Sequence, residues 1–423
     1  MADQKRSLLS SQARVQAPWI KVIIGTYTFG VFIKKGIEDS KTPEGFYSAY
    51  NVQYPNYIQG LNIVKINGQV NQYTLKITYP VKPEDDPNFF EKVFSSVSQT
   101  RKIIFSYGDA TQPSYIYKDE EALITDIRQQ FDLTNCTIQY TVKAVSSAII
   151  GKSGNFTFIN STPKKPSAEI KAVFKNKKYG LQNIFTGMSE ANLDQLIAGD
   201  DKKVKLESKT NISPLDYITY LVSCMVPAGS TQNTLSKDIY ILTIHDDTIY
   251  DRLYNDTIAL NGPYFKVTKT PSYIEKADAY EVDIGFNTST IVTSFNIEKD
   301  ENYSILYNYT GKLSQDNYTY RLTNDGTWET VFAPMYTSGN DQYLTRAEDI
   351  VWYTKMTKFP INATLKINGL LRPATLMQFI RLNVVFPGGR KHISSGLYIV
   401  TKQIDDISGS GYTTTLSITR ISG

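Results

Sequence analysis

The sequence is poor in the residues that most often carry chemistry. Its 423 residues include two cysteines and two histidines, and neither cysteine lies in a paired motif. This spacing excludes a disulfide framework and favours a reducing compartment. Histidine is the usual general base and metal ligand, so two copies far apart in the chain leave little material for either role.

Long apolar runs and one-sided charge are also missing. No stretch of about 20 apolar residues occurs, so no membrane-spanning segment is expected. The polar first 17 residues contain no apolar core of a secretory signal. With 45 basic and 41 acidic side chains the net charge is +4, and no long basic run indicates a specific nucleic-acid site.

Aromatic residues are abundant instead. The chain contains 30 tyrosines and 19 phenylalanines, and 41% of its residues are apolar. Aromatic side chains fit half-buried pleated surfaces, and tyrosine keeps a polar tip at wet interfaces. The composition therefore favours a β-rich globular protein with much protein–protein surface, and the length suggests roughly two to four domains.

Alternation of apolar and polar residues predicts strands along much of the chain. The predicted strands cover residues 20–25, 27–33, 74–79, 137–143, 155–158, 238–244, 264–268, 280–286, 363–367, 379–386, 397–404 and 412–419. In the last strand Thr413, Thr415, Ser417 and Thr419 form a polar face. Such a face implies contact with water or with a polar partner, as in a half-exposed antiparallel sheet.

Helical spacing of apolar residues interrupts these strands. The predicted helices cover residues 87–97, 119–131, 189–197, 211–225 and 345–358. Ser189 is a candidate N-cap for the third of them. Ser213 and Pro214 suit the N-cap and first helical position of the fourth. A capping box at residues 345–348 opens the fifth.

These elements suggest four parts in the chain. Residues 1–18 are predicted to be a flexible arm, 19–162 a first β-domain, 168–279 a mixed α/β middle domain and 280–423 a second β-domain with an insertion at about 300–340. Two prolines and two lysines at residues 161–166 predict a linker. Lys-Ile-Asn-Gly occurs at residues 65–68 and again at 366–369. A duplicated β-unit would explain this repeat, although four identical residues are about what chance supplies.

The histidines and cysteines can be interpreted in two ways. His245 precedes Asp246 and Asp247, which could form a metal site or a base with its orienting acid. The alternative, a strand that ends in a polar turn, is favoured because an apolar run precedes His245. His392 follows a glycine-containing turn and is predicted to be a solvated loop residue. Cys136 and Cys224 are predicted to be small core residues.

Two further motifs resemble ligand-binding loops only in part. Residues 151–153 read Gly-Lys-Ser, but Ser146 stands where a phosphate-binding loop needs glycine, and a strand follows where that loop needs a helix. The acidic residues 84–86 lack the spaced ligands of a calcium loop and instead suit the start of the next helix. We therefore assign no catalytic, cofactor-binding or metal site, and expect no enzyme.

The C-terminal segment resembles a known family. Residues 363–369 and 380–384 are followed by a Gly-Leu-Tyr-Ile-Val strand at 396–400, and residues 407–416 form a glycine-rich turn leading into a Tyr-Thr-Thr-Thr-Leu strand. This pattern resembles the C-terminal β-barrel of phage tail hub proteins, the late-control proteins and baseplate hubs of contractile-tailed phages. The resemblance covers about the last 80 residues, and the first 160 are compatible with a second such barrel.

The resemblance implies a fold and a function. The fold would be mainly β (α+β), with two tail-tube-like β-barrel domains and a mixed α/β middle region. Three copies would form a pseudo-sixfold ring that joins a sixfold tail tube to a threefold spike. The implied partners are further copies of the chain, the tail tube protein, the central spike, other baseplate proteins and the tape measure. The protein would belong to the virion tail baseplate, assembled in the host cytoplasm.

Two other functions stay open. A receptor- or carbohydrate-binding protein of the tail tip would use exposed aromatic rings, although the chain has only three tryptophans. A tail-associated hydrolase would need a carboxylate pair or a metal cluster, and the sequence nominates neither.

Overall fold

The fold is mainly β with a minority of helix. In the computed structural model the described residues are 18–32, 48, 50–109, 117–228, 239–246, 262–270, 280–285, 292–299, 318–322, 328–332, 361–368, 376 and 379–422. Their strands are β1 (Pro18–Ile24), β2 (Tyr27–Phe32), β3 (Tyr54–Pro55), β4 (Ile58–Ile66), β5 (Gln72–Pro80), β6 (Lys102–Asp109), β7 (Tyr117–Asp132), β8 (Thr137–Ser146), β9 (Phe156–Phe158), β10 (Lys209–Ile212), β11 (Ile239–His245), β12 (Tyr264–Thr270), β13 (Tyr280–Gly285), β14 (Val292–Lys299), β15 (Tyr318–Leu322), β16 (Trp328–Phe332), β17 (Ile361–Asn368), β18 (Phe379–Phe386), β19 (Arg390–Lys391), β20 (Gly396–Ser408) and β21 (Gly411–Ser422).

The helices among the described residues are short and lie mostly in the middle of the chain. They are α1 (Phe89–Ser96), α2 (Pro166–Lys175), α3 (Leu181–Ile184), α4 (Leu193–Leu196) and α5 (Pro214–Ser223), with 3-10 turns at Ser147–Lys152 and Lys177–Tyr179. No helix in the described ranges is long and apolar enough to cross a membrane. The predicted α+β class with dominant strands is confirmed.

One large sheet organises the molecule. Among the described residues it has 15 strands, and its main path runs β14-β17-β21-β20-β4-β5-β8-β7-β6-β1-β2-β3. The sheet curls into a half-barrel. Residues near both ends of the described chain contribute to it, whereas β9·β10, β11·β12 and β15·β16 form separate two-stranded sheets.

Five strands in each half of this sheet have the same arrangement. The first half-sheet has the order β4-β5-β8-β7-β6, and the second half-sheet has the order β14-β17-β21-β20-β18. Every neighbouring pair in both half-sheets is antiparallel. The two differ beyond β6 and β18, since β1 is antiparallel to β6 whereas β13 is parallel to β18.

β-Bulges align the two half-sheets residue by residue. The register shifts at residues 58–60 of β4 and at 292–294 of β14, in each case opposite an isoleucine and a lysine of the next strand. It shifts again at residues 124–126 of β7 and at 400–402 of β20. A bulge adds one unpaired residue at a defined position. Two bulges at matching positions therefore determine how the residues of the first half-sheet align with those of the second.

The sequence repeats under this alignment. Thr-Leu-Lys-Ile occupies residues 74–77 of β5 and 364–367 of β17, and Asn-Ile-x-Lys occupies 62–65 of β4 and 296–299 of β14. The Lys-Ile-Asn-Gly repeat in the sequence matches β4 with β17, which are not equivalent strands, so that repeat is not the record of the duplication. The duplicated unit is the five-strand half-sheet.

A bulge also explains the one helix that was predicted wrongly. Residues 119–131 lie in β7, between β6 and β8. Because the bulge at Thr125 moves the alternation by one place, Ile124, Ile127 and Phe131 come at spacings of three and four while lying on one face of a strand. Those spacings are the signature of a helix, and strand pairing on both sides overrides them.

The predicted helices at residues 87–97 and 211–225 are confirmed as α1 and α5. The Ser213 hydroxyl accepts a hydrogen bond of 3.1 Å from the Asp216 amide, and Pro214 is the first helical residue. Ser213 therefore satisfies one of the amides that a helix start leaves without a partner.

Two other helices differ from prediction. Within residues 189–197 only α4 is helical, and Ser189 belongs to a preceding turn that Asn192 closes. The predicted linker at 161–166 ends where α2 begins, because Pro166 is the first residue of that helix. The predicted helix at 345–358 lies outside the described residues. Each predicted strand overlaps a strand of the structure.

The described residues form three apolar clusters. One lies under β1 to β8 and also includes Ile407 and Tyr412 from the second half-sheet. A second holds α2 to α5 with β9, β11 and β12, and a third lies under β17, β18, β20 and β21. The division of the chain into domains stays a prediction, since the first cluster already draws on both ends of the sequence.

Candidate functional site

The two half-sheets meet along one line, which we call the seam: the antiparallel pairing of β4 with β20. Residues 60–66 pair with residues 402–408. On the core side Leu61 faces Ile407, and Ile63 faces Asp405. All four side chains are at most 1% exposed. The seam therefore removes apolar surface from water, at about 25 cal/mol per Å², and fuses the duplicated units into one sheet.

Polar side chains are buried next to the seam, beginning with an ion pair. The Lys65 ammonium lies 2.8 Å from a Glu120 carboxylate oxygen and 3.9 Å from the centre of the Tyr117 ring. The Tyr73 and Tyr107 hydroxyls donate to the other Glu120 oxygen over 3.0 and 3.1 Å. Glu120 is 0% exposed, so these partners replace the water that its charge has lost.

Asp246 connects this ion pair to the middle of the chain. Its carboxylate accepts hydrogen bonds from Asn71 (2.5 Å), Ser146 (2.6 Å) and Tyr73 (3.3 Å). Burial, helped by the charge of Glu120, raises the pKa of Asp246 to about 7. Asp246 follows β11, so this contact ties the β11·β12 pair to the inner face of the first half-sheet.

Asp405 provides the connection to the second half-sheet. Its carboxylate accepts from Thr414 over 2.7 Å and from Gln403 over 2.5 Å, and Gln403 also reaches the Tyr117 hydroxyl at 3.5 Å. Burial raises the pKa of Asp405 to about 6. Together with the groups around Glu120 and Asp246, these residues form what we call the buried polar network.

The buried polar network has more acid than base. Glu120, Asp246 and Asp405 face the single ammonium of Lys65, so protonation of two carboxyl groups makes the set neutral. The raised pKa values of Asp246 and Asp405 have this cause in part, together with burial. Within the described ranges, histidine, cysteine, aspartate and glutamate form no group of three that could hold a metal ion. The arrangement can hold three parts of the chain together.

His245 lies outside this network although it adjoins Asp246. It ends β11, as predicted, and its ring stacks on Tyr264 with centroids 4.7 Å apart. Its Nε2 lies 2.8 Å from the Thr243 hydroxyl, and burial lowers its pKa. The polar turn expected after His245 is wrong at Asp246, which is buried rather than solvated. Asp247 lies outside the described residues.

The other candidates from the sequence are apart from one another. His392 is an exposed loop residue, as predicted, with its Nδ1 2.7 Å from the Ser394 hydroxyl. Cys224 is buried at the end of α5, but Cys136 is exposed in the turn between β7 and β8, so its assignment to the core is wrong. It adopts a positive φ there, which ends strand geometry and turns the side chain out of the sheet.

The two partial loop motifs form ordinary local structure. Gly151 and Lys152 end a 3-10 turn, and the predicted strand β9 follows rather than a helix. Asp86 accepts from the Lys92 ammonium over 2.6 Å and from the Asn88 amide over 2.9 Å. The acidic residues thus lie at the start of α1, as predicted.

The polar face of the last strand is only half-buried. Thr413, Thr415 and Ser417 are partly exposed, and Thr414, Leu416 and Ile418 point into the molecule. Thr419 is 9% exposed and donates to the Asn362 side chain over 2.8 Å. None of the four polar side chains therefore lies unsatisfied in an apolar core.

The residues of the buried polar network carried little signal in the sequence. Glu120 lies in the segment that was predicted to be a helix, where a charged residue is expected to face the solvent. Lys65 and Asp405 stand in apolar strands, which is the one available hint: an ionisable residue at an inward position needs a partner.

Comparison with known proteins gives similarity of structure alone. No protein-family model and no curated protein sequence matches the chain. The tail protein from Neisseria meningitidis MC58 is 8% identical with a TM-score of 0.45, over 95% of this chain and 96% of that one. The 43 kDa tail protein of prophage MuSo2 from Shewanella oneidensis is 10% identical with a TM-score of 0.46, over 95% and 98%. A type VI secretion system component of E. coli is 9% identical with a TM-score of 0.42, over 88% and 75%.

Proposed function

We propose that the chain is a structural subunit of a phage tail baseplate hub, three copies of which form a ring between the tail tube and the central spike. The C-terminal strands resemble those of hub barrels, and the structural similarity is to tail proteins among others. Host-cytoplasmic assembly and the virion as final location belong to the same proposal.

The observation that carries the proposal is the seam between two equivalent half-sheets. Each chain supplies the same five-strand unit twice, with bulges at matching positions. Three such chains present six equivalent units around an axis while keeping threefold symmetry. A ring of this kind suits a position between a sixfold tube and a threefold spike, because each neighbour meets a surface of its own symmetry.

The buried polar network suits a structural role rather than catalysis. Its three carboxylates come from the first half-sheet, the middle of the chain and the second half-sheet, and each accepts hydrogen bonds. Network contacts of this kind specify one arrangement of the parts. We therefore propose that the chain acts without hydrolysing peptidoglycan, and a zymogram of the purified chain should show no cleared band. A band that disappears in His245→Asn would contradict this.

The carbohydrate-binding alternative loses one of its candidate rings. Trp19 is 0% exposed and lies against Tyr50, with ring centroids 4.7 Å apart. It therefore offers no surface on which a sugar could stack.

The test is the mass and symmetry of the purified full-length protein. The proposal predicts a particle of three times the 47.8 kDa chain mass, measured by light scattering at increasing protein concentration, and threefold rings in electron micrographs. A particle of six identical chains around the axis, or a monomer at every concentration, would rule out the threefold hub. A glycan array serves as the matching test of the tail-tip alternative.

A further inference from the structure

Two stretches of strand in the large sheet have a partner on one side only. Residues 126–132 of β7 pair with β8, and β14 pairs with β17 at the end of the sheet path. Among the described residues no second strand pairs with either stretch. Open strand edges present unpaired amides and carbonyls, which makes them places for pairing with another chain.

The internal duplication assigns each open edge an equivalent strand in the other half-sheet. Aligned by its bulge, residues 126–132 of β7 correspond to residues 402–408 of β20, and residues 294–299 of β14 correspond to residues 60–65 of β4. Those two counterparts are the strands of the seam. One chain therefore contains a completed seam and, in different half-sheets, the two unpaired halves of a second one.

We infer that β7 of one copy pairs antiparallel with β14 of a second copy and repeats the register of the seam. The seam places residue 406 opposite 62 and residue 404 opposite 64. Transferred through the alignment, Gln130 of one copy lies opposite Asn296 of the next, and Arg128 lies opposite Glu298. Because the two edges differ, the contact is head to tail, the kind that closes into rings.

The burial of side chains at the seam and their exposure at the open edges support pairing with a second copy of the chain. Phe131 is 61% exposed and Ile297 is 37% exposed, although both lie in strands of the main sheet. Their equivalents at the seam, Ile407 and Ile63, are 0% exposed. Pairing of the two edges would bury Phe131 and Ile297, as the seam buries Ile407 and Ile63. The same apolar face of the sheet would then continue across the contact.

Charge favours the same register. Arg128 is exposed and pairs within its own strand with Asp126, at 2.9 Å, and Glu298 is exposed on β14. In the inferred register the two opposite charges face each other directly, where cross-strand ion pairs stabilise a sheet. A shift by one residue would place the apolar side chains on the wrong face.

The inference deepens the proposed function. It rests on that function for one point, namely that the second copy is the neighbouring subunit in the ring. The register comes from the duplication alone. A strand from a different protein could also pair with either edge, and the experiments below separate that case from self-pairing.

Disulfide trapping in the full chain tests the register. Gln130→Cys and Asn296→Cys are combined in a Cys136→Ser background, since Cys136 is exposed and close to β7. Under mild oxidation the pair should link separate chains, at least about tenfold more than the control Gln130→Cys with Ser294→Cys, because a disulfide needs Cα atoms within about 7 Å. The control site lies on the same exposed face, two residues out of register. Equal linking of both pairs, or linking of neither, overturns the inference.

Charge reversal gives an independent readout. Arg128→Glu and Glu298→Lys should each weaken association of the full chain about tenfold, because like charges then face each other across the strands. The double reversal should recover most of the loss, which a local effect at Asp126 would not. Failure of the double variant to recover, with both singles folded by circular dichroism, contradicts the register.

The two proposals fail in different ways. Specific disulfide linking within particles of some number other than three would leave the edge pairing intact and remove the threefold hub. Threefold particles without register-specific linking would keep the hub and remove the edge pairing. A different protein bound at these edges would appear as a monomeric chain that neither links nor responds to charge reversal.

Discussion

Thr125 and Thr401 occupy equivalent positions in the two half-sheets and make equivalent hydrogen bonds. Each is the extra residue of a bulge, and each donates its hydroxyl to the backbone carbonyl across from it, Thr125 to Lys143 over 3.2 Å and Thr401 to Ser417 over 3.1 Å. A bulge disrupts the ladder and leaves backbone groups without strand partners. The same side chain restores a hydrogen bond in both units, so the duplication extends to the details of its irregularities.

Loss of the buried ion pair should be costly. Lys65→Met leaves the Glu120 carboxylate buried without its cation, and we expect a loss of about 3–5 kcal/mol in the free energy of unfolding. Urea denaturation followed by tryptophan fluorescence measures it. Lys102→Met is the matched control, because the Lys102–Glu121 pair is 45% and 38% exposed and should contribute less than about 1 kcal/mol. Equal losses in the two variants would contradict this account of the network.

The raised pKa of Asp246, about 7, predicts a pH dependence. Between about pH 4 and 7 the folded chain holds a proton that the unfolded chain has released, so this group stabilises the fold less as pH rises and is constant above pH 7. Asp246→Asn should remove that slope. Relative to wild type, the variant should gain about 2–4 kcal/mol between pH 4 and pH 8.

The asparagine variant can keep its contacts, which makes the test clean. Ser146 can donate to the new carbonyl oxygen, and Asn71 has a buried oxygen without a hydrogen-bond partner that can accept from the new amide. Denaturation midpoints across this pH range are the measurement. An unchanged slope in the variant would show that Asp246 does not titrate there.

Equivalent residues at the seam and at the open edge should respond differently to truncation. Ile407→Ala removes a side chain that is 0% exposed and should cost about 2–5 kcal/mol, whereas Phe131→Ala removes one that is 61% exposed and should cost less than about 1 kcal/mol. The comparison is made at protein concentrations low enough to prevent association. A large loss in Phe131→Ala under those conditions would mean that the edge is already covered within one chain.

The N-cap of α5 gives a prediction about local structure. Ser213→Ala removes the acceptor for the Asp216 amide and should destabilise the chain by about 1 kcal/mol. Ser213→Thr should retain most of the stability, because threonine keeps a hydroxyl that can accept from the Asp216 amide and donate to its carboxylate. Similar losses in both variants would argue against capping as the cause.

Much of the fold was accessible from the sequence because strand alternation and helix start signals are local. The Ser213–Pro214 start of α5 and the apolar alternation in β21 needed no knowledge of the rest of the chain. β7 was not accessible in the same way. Its bulge imitates helical spacing, and only the strands on either side decide between the two.

The candidate site escaped prediction for a related reason. The partners of Glu120 come from β4, β5 and β6, and those of Asp405 lie close in sequence but acquire meaning only when β20 meets β4. A sequence shows that a charge stands in an apolar strand, and it does not show which cation or hydroxyl will reach that charge. The open edges of the sheet could likewise not be predicted, because they are defined only once the pairing of the strands is known.

The seam has a consequence for the order in which the protein is made. Residues 60–66 leave the ribosome more than 300 residues before residues 402–408, their partners. During that interval β4 is an unprotected edge beside an apolar surface, and contacts of such long sequence separation form slowly. Chains being translated on neighbouring ribosomes could pair prematurely through this edge. Timely synthesis of the last strands, or a chaperone that shields β4 until they arrive, would then govern the yield of folded protein.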